Sequence, residues 1–456
     1  MENYSSLVAK QKSYFRTEMT KDLTFRLDAL QKLRAAIKNN ENRLMEALRA
    51  DLNKSEFDAY TSEIGFVLEE LRFTIKHLRS WVKPKRVKTP LTHIGSTSYI
   101  YSEPYGVTLI IAPWNYPFQL AIAPLIGAIA AGNCAIIKPS ELTPKTSELL
   151  GTMIKELFSE EFVAVVQGGV ETSQTLLQEK FDYIFFTGSV PVGKVIMEAA
   201  AKNLIPVTLE LGGKSPCIVH EDANIKLAAK RIAWGKFTNA GQTCIAPDYL
   251  YIHKNIKDQF LHQFKETTME LYGIQPLNNP NFTRIVSERH FERLASFLDN
   301  GKQFMGGQTN KDKLSIEPTV LTQITWEDPV MQDEIFGPIL PVLEYSDLHE
   351  VIEGIHRHPK PLALYIFTES KNLQQEVLNS VSFGGGCVND TVYHFASPYL
   401  PFGGVGNSGI GAYHGKGNFD TFSHNKSVLK QTTLFDIPFR YPNVKNGLQK
   451  IKLFMK

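Results

Sequence analysis

The chain has 456 residues, of which 43% are hydrophobic and 21% charged, and its formal net charge is +2. That length exceeds what one hydrophobic core ordinarily serves, so two or three domains are expected. A charge so near neutrality, without a dense basic run, argues against nucleic acid as a partner.

Residues 21–51 carry Leu27, Leu30, Leu33 and Ile37 at three- and four-residue spacings and read as a helix. A second helical stretch covers 57–81 and ends before Pro84. Both are expected to cover a sheet. The stretch 104–137 contains no charged residue and is long enough to cross a bilayer. Pro113, Pro117 and Pro124 interrupt it, however, and Asn115, Gln119 and Asn133 need buried polar partners. A buried strand, a turn and a buried helix explain it better.

Apolar runs at 106–111, 135–139, 162–169 and 183–189 read as buried strands. Between them lie helical stretches at 119–131, 144–157 and 171–178. This alternation predicts right-handed parallel crossovers and a doubly wound α/β sheet. The pattern starts again at 206–213 and 215–220, continues with a helix at 224–237, and adds strands at 249–253, 340–345, 363–368 and 385–390. A second α/β domain is therefore expected from about Leu211. Segments 87–101 and 422–433, rich in Ser, Thr and β-branched residues, read as paired strands of a small extra sheet.

Four local features carry possible chemistry, each with a plain structural alternative. Cys244 ends the run Gly241-Gln242-Thr243-Cys244, in a loop of small and polar residues where a thiolate can meet a substrate; the alternative is an inert buried thiol. Glu210 stands between Leu209 and Leu211, where burial raises a carboxyl pKa toward that of a base for water; the alternative is a structural carboxylate paired or capped by the following amides. Gly188 to Gly193 lie between a strand and a helix, either as a plain turn or as a phosphate-binding one, although the spacing is not GxGxxG. Asn115, in Pro113-Trp114-Asn115-Tyr116-Pro117, offers an amide to a developing oxyanion or merely satisfies its own turn.

The remaining cysteines, Cys134 and Cys217 in apolar runs and Cys387 after three glycines, read as structural. No CxxC pair and no secretory pattern in the first residues point to free thiols in a reducing cytoplasm, though spacing alone leaves a disulfide open.

Taken together, PWNYP, KPSE, FTGS, LELGGK, GQTC, EIFGP and PFGGVGNSG, in that order, resemble the aldehyde dehydrogenase superfamily over nearly the whole chain. GQTCIAPDY and GAYHGKGNFDTFSH look most like its class 3 branch, which handles medium- to long-chain aliphatic and aromatic aldehydes. The resemblance implies an α/β fold with a Rossmann-type cofactor domain (1–86 and 102–210) and a second α/β catalytic domain (211–395). It also implies bridging or oligomerisation segments (87–101 and 396–436), a tail (437–456) and a homodimer. By the same resemblance Cys244 is the nucleophile, Glu210 the general base, and Asn115 with the Cys244 N–H the oxyanion hole. Trp114, Lys138, Glu141, Gly188, Ser189, Gly193, Glu334 and Phe336 are implied to meet NAD, with NADP also accepted. Phe66, Tyr116, Trp234 and His414 are implied to line the substrate tunnel. No metal is expected, and the histidines form no HExxH or comparable cluster.

The implied reaction is attack of the Cys244 thiolate on the aldehyde, hydride transfer to nicotinamide, and Glu210-assisted hydrolysis of the resulting thioester. One rival is a CoA-acylating relative, which does not need a carboxylate at Glu210; another is a non-catalytic protein keeping the fold. The tail after Asp436 has five basic and no acidic residues, interleaved with Leu448, Ile451, Leu453 and Phe454. It can dock on its own subunit or its dimer mate, or lie peripherally on an anionic membrane.

Overall fold

The computed structural model describes residues 4–455. Its first sheet has six strands in the order 409–410, 207–210, 183–187, 107–111, 134–138, 163–165. All neighbours are parallel except Gly409–Ile410, which closes one edge antiparallel to Val207–Glu210. The central strands of this sheet are buried on both faces, which accounts for continuous apolar runs such as Val107–Ile111 and Tyr183–Thr187. From Val107–Ile111 the chain moves outward to 134–138 and 163–165, then returns to the other side at 183–187. The order reverses between 107–111 and 183–187, so a crevice opens beyond the carboxyl ends of those two strands.

The second sheet has seven strands in the order 302–305, 319–322, 339–345, 249–253, 216–219, 363–367, 385–388, all parallel but for the first. A third sheet pairs Ser96–Pro104 antiparallel with Ser423–Gln431 along nine residues, with Lys85–Val87 at its other edge. The small extra sheet expected from composition is therefore present. Its partner segment has a second task, because Gly409–Ile410 joins the first sheet and the helix Gly415–Thr421 packs on the helices Gly65–Trp81 and Gln119–Ala131.

The uncharged stretch folds as the strand Val107–Ile111, a turn, the fully buried helix Gln119–Ala131 and the strand Cys134–Lys138. Among the described residues no helix is long and apolar enough to cross a membrane. Asn133 finds its buried partners: Oδ1 accepts from Gly106 N at 2.9 Å, and Nδ2 donates to Phe422 O at 2.9 Å.

Two helical expectations need correction. The stretch 21–51 is two helices, Leu23–Asn39 and Glu41–Leu52, because Asn40 leaves helical geometry and its Nδ2 donates back to Ala36 O at 2.9 Å. The stretch 57–81 is also divided, by a π turn at Tyr60–Ile64 between Glu56–Ala59 and Gly65–Trp81. The apolar spacing continues across both breaks, so periodicity alone hides them. The strand expected at 162–169 is confined to Val163–Val165, since Gly168 has a φ of +144° and turns the chain.

Candidate active site

Three loops meet where the first sheet ends. Asn115 follows the strand Val107–Ile111, Glu210 closes the strand Val207–Glu210, and Cys244 lies between the helix Ile225–Phe237 and the strand Tyr249–His253 of the second sheet. The approach to Cys244 is a tight left-handed turn: Asn239, Ala240 and Gly241 have φ of 56°, 52° and 72°. Only glycine fits the last position, because a Cβ there would stand 2.2 Å from Gly337 O. Gln242 locks the turn from inside, its Nε2 donating to Asn239 O at 3.1 Å and Arg284 O at 3.0 Å. Its Oε1 accepts from Val286 N at 3.0 Å. Tyr365 Oη donates to Ile245 O at 2.6 Å. The cysteine is thus half-buried on a rigid loop.

Burial, with Glu334 and Glu210 nearby, raises the Cys244 thiol well above its usual value, while the N–H groups of Cys244 and Ile245 oppose the shift. Glu210 is 2% exposed, and neither of its carboxylate oxygens has a hydrogen-bond partner. Its pKa is raised well above the ordinary carboxylate range by burial. Asn115 Nδ2 donates to Gln242 O at 3.0 Å, which uses one of its two amide hydrogens and aims the group at the cysteine loop.

A second group of residues surrounds the crevice. Lys138 Nζ pairs with Glu141 Oε2 at 2.6 Å beyond the strand Cys134–Lys138. Gly188 N donates to Glu210 O at 3.0 Å, and Ser189 opens the helix Val190–Ala201 with its own side chain making no cap. A Cβ at Gly193 would come within 2.6 Å of Leu211, so this glycine lets the helix lie directly on the strand end. Glu334 is half-buried, and its pKa is pushed up to about 8, chiefly by desolvation and then by Asp248. Gly212 makes room for it, since a Cβ there would stand 2.1 Å from Glu334 Oε2. Phe336 has a φ of 52°, unusual for an aromatic residue, and meets Trp114 edge-on at 5.4 Å.

These groups suit a dinucleotide. The N-terminus of the helix Val190–Ala201 can take an anionic phosphate, and the carboxyl groups of Glu141 and Glu334 can accept from hydroxyl groups. Sequence reasoning missed what holds the Glu334 loop: Arg293 donates to Glu334 O at 3.3 Å and Ile335 O at 2.5 Å. Asp248 Oδ1 accepts from Ile335 N at 2.8 Å while Oδ2 pairs with Lys214 at 2.5 Å. Lys214 and Asp248 sit in the conspicuous runs LELGGK and GQTCIAPDY, which were the available signal; Arg293 had none.

The four expected tunnel residues do not form one contact set. Phe66 and His414 come together in an aromatic box, with ring centroids 5.3 Å apart and Phe395 at 4.7 Å from each. His414 Nε2 is buried without a partner, and burial lowers its pKa to about 3. Tyr116 instead bonds Thr243 Oγ1 at 2.6 Å, and Trp234 leans on Tyr393 at 5.7 Å. Phe395 and Phe402, which complete the box, were not anticipated. All four cysteines are free: Cys134 and Cys217 are buried in the core, and Cys387 Sγ lies 3.5 Å from His394 Nδ1.

A half-buried thiol on a rigid loop stands beside the strand-end crevice of the first sheet. The chain belongs to the aldehyde dehydrogenase family, whose model matches residues 2–428, and it is an enzyme that oxidises aldehydes with a nicotinamide cofactor. A 4,4'-diaponeurosporen-aldehyde dehydrogenase of Staphylococcus aureus is 51% identical, over 98% of this chain and 97% of its own length. A dimeric NADP-preferring aldehyde dehydrogenase of Rattus norvegicus is 44% identical, over 95% of this chain and 96% of its own. The solved substrate-bound state of Staphylococcus aureus AldH superposes with a TM-score of 0.98 at 49% identity, covering 100% of both chains.

Proposed function

We propose that this enzyme converts medium- to long-chain aliphatic or aromatic aldehydes to carboxylic acids through a thioester on Cys244. The observation that carries this reading is the meeting of Cys244, Asn115 and an unpartnered, buried Glu210 where the strands of the first sheet end. The Cys244 thiol loses its proton to solvent, a step that the N–H groups of Cys244 and Ile245 favour against burial, and the thiolate attacks the aldehyde carbon. Asn115 Nδ2 and the Cys244 N–H receive the negative charge that develops on oxygen; one such donor is worth about 3 kcal/mol. Trp114, Lys138, Glu141, Gly188, Ser189, Gly193, Glu334 and Phe336 would hold the nicotinamide cofactor, which when bound supplies the hydride acceptor. Glu210 then takes a proton from water, and the hydroxide so formed releases the acyl group from Cys244 as a carboxylate. Having no hydrogen-bond partner of its own, Glu210 is free to hold that water.

We propose NAD as the cofactor, with NADP also accepted. The Glu141 carboxylate disfavours a 2′-phosphate, but its pairing with Lys138 offsets that repulsion. The ratio of kcat/KM for the two cofactors tests this, and a strong NADP preference would sink it. The aromatic box at Phe66 and His414 supports apolar aldehydes of about six or more carbons; a chain-length series in which acetaldehyde is the best substrate would refute that. The decisive assay mixes the enzyme, NAD and hexanal and follows reduced cofactor. Turnover should vanish in Cys244→Ala and should not need CoA; an absolute CoA requirement would overturn the hydrolytic reading.

The homodimer is also part of this proposal, supported by the dimeric rat relative and by a small sheet with exposed residues along Ser423–Gln431. Light scattering should give about twice the 51.4 kDa chain mass. We place the enzyme in the cytoplasm, with the tail docked on its own subunit or on the dimer mate. The tail helix Gly447–Phe454 leaves Leu448 and Leu453 exposed, which keeps the membrane-surface alternative in view. Co-sedimentation with anionic liposomes that disappears on removing residues 437–456 would favour the membrane instead.

A further inference from the structure

Lys54 and Glu63 form an ion pair of 2.5 Å with side chains only 1% and 0% exposed. Desolvating two charges is expensive, and such a pair seldom adds stability over apolar groups of the same volume. What it adds is direction, and here each remaining bond points at the turn that carries Asn115. Lys54 Nζ also donates to Asn115 O at 2.9 Å and stands 4.1 Å from the Tyr116 ring centroid. Glu63 Oε2 accepts from Phe118 N at 2.9 Å and Gln119 N at 3.1 Å, the first amides of the helix Gln119–Ala131. That helix end favours a negative charge. The turn 115–117 is therefore held from both sides by one buried pair.

The other side of the same turn holds the cysteine loop. Asn239 Nδ2 donates to Asn115 O at 3.0 Å and to Gln242 O at 3.2 Å, and Asn115 Nδ2 donates to that same Gln242 O at 3.0 Å. Tyr116 Oη and Thr243 Oγ1, the latter adjacent to Cys244, are 2.6 Å apart. Glu63 itself sits in the π turn Tyr60–Ile64, an insertion that breaks the regular helical face. Such insertions cost helix regularity and are frequent at functional sites.

We propose that the Lys54–Glu63 pair is a positioning device for the reaction: it fixes the Asn115 carbonyl, and through that backbone the amide that meets the oxyanion. This rests on the oxyanion reading of Asn115 given above. Lys54 touches neither substrate nor cofactor in this role. It acts entirely through Asn115.

The test is a double-mutant cycle with hexanal and NAD on the full-length enzyme. Lys54→Met should lower kcat about 30-fold with the KM for hexanal within about threefold, because the lost interaction matters only in the transition state. In an Asn115→Ala background the same substitution should cost less than about threefold more, since the group it positions is already gone. Glu63→Gln, which keeps an oxygen for the Phe118 and Gln119 amides, should fall between wild type and Lys54→Met, again with kcat rather than KM affected. If Lys54→Met does not fold, the cycle is run with Glu63→Gln and judged by the same criterion. Losses that multiply in the Asn115→Ala background, or a folded Lys54→Met with wild-type kcat, would overturn the proposal. An Asn115→Ala enzyme with wild-type kcat would instead overturn the oxyanion reading itself.

Discussion

Two buried glutamates flank the proposed active site under opposite conditions. Glu63, in the N-terminal helical region, has both oxygens engaged, by Lys54 and by two backbone amides. Glu210, at a strand end in the first sheet, has neither oxygen engaged. Burial is nearly equal at 0% and 2%, so accessibility does not separate them. Satisfaction does. A buried carboxylate with both oxygens engaged organises its neighbours, whereas one with neither engaged is poised to take a proton.

The sharpest way to break this comparison is to make each side chain neutral. Glu210→Gln should lower steady-state kcat by about 10³-fold, with a Tm no lower than wild type, because glutamine resembles the protonated acid favoured by burial. The acyl group should then remain on Cys244, visible as added mass on the intact protein after mixing with NAD and hexanal. Wild-type turnover in this variant would remove Glu210 from deacylation. Glu63→Ala should do the reverse on the stability axis, costing at least about 3 kcal/mol by stranding Lys54 in the interior. Urea unfolding measures it, and a loss below about 1 kcal/mol would mean that the pair is not held as tightly as its geometry implies.

A smaller effect is expected from pH. Because burial raises the folded pKa of Glu210, its base form grows only as pH rises, so deacylation-limited kcat should still be climbing above the pH at which an ordinary carboxylate is fully ionised. The slope should approach about one decade per pH unit below the pKa, and Glu210→Gln should flatten it. A flat wild-type profile would contradict the assignment. The smallest effect concerns Glu334, whose pKa of about 8 in the folded protein exceeds the ordinary 4.5. The folded state then binds the proton more tightly than the unfolded one, so stability is lost as pH rises from about 4.5 to about 8. Glu334→Gln should reduce the fall in Tm across that window; an unchanged fall would place the linkage elsewhere.

Much of this architecture was legible because its signals are local. Strand and helix alternation up to Glu210, the glycines at 188 and 193, and the ordered run of motifs all depend on neighbours a few residues away. The breaks at Asn40 and Tyr60–Ile64 were missed because the apolar spacing runs through them. Of the four residues expected along the tunnel, Phe66 and His414 touch each other, whereas Trp234 meets Tyr393 and Tyr116 meets Thr243. Which aromatic rings share a box depends on crossings between distant elements, and no spacing encodes that.

The sequence by itself determined the candidate residues Cys244, Glu210 and Asn115 and the two α/β units that carry them, since residue type and periodicity are properties of short segments. Only the tertiary structure decided which carboxylate is free. Lys54 and Glu63 have no motif, and their link to Asn115 spans 61 residues from Lys54 and 52 from Glu63. A charge's role in a protein interior is set by the partners that packing brings within about 3 Å, and packing is not written in any one stretch of chain.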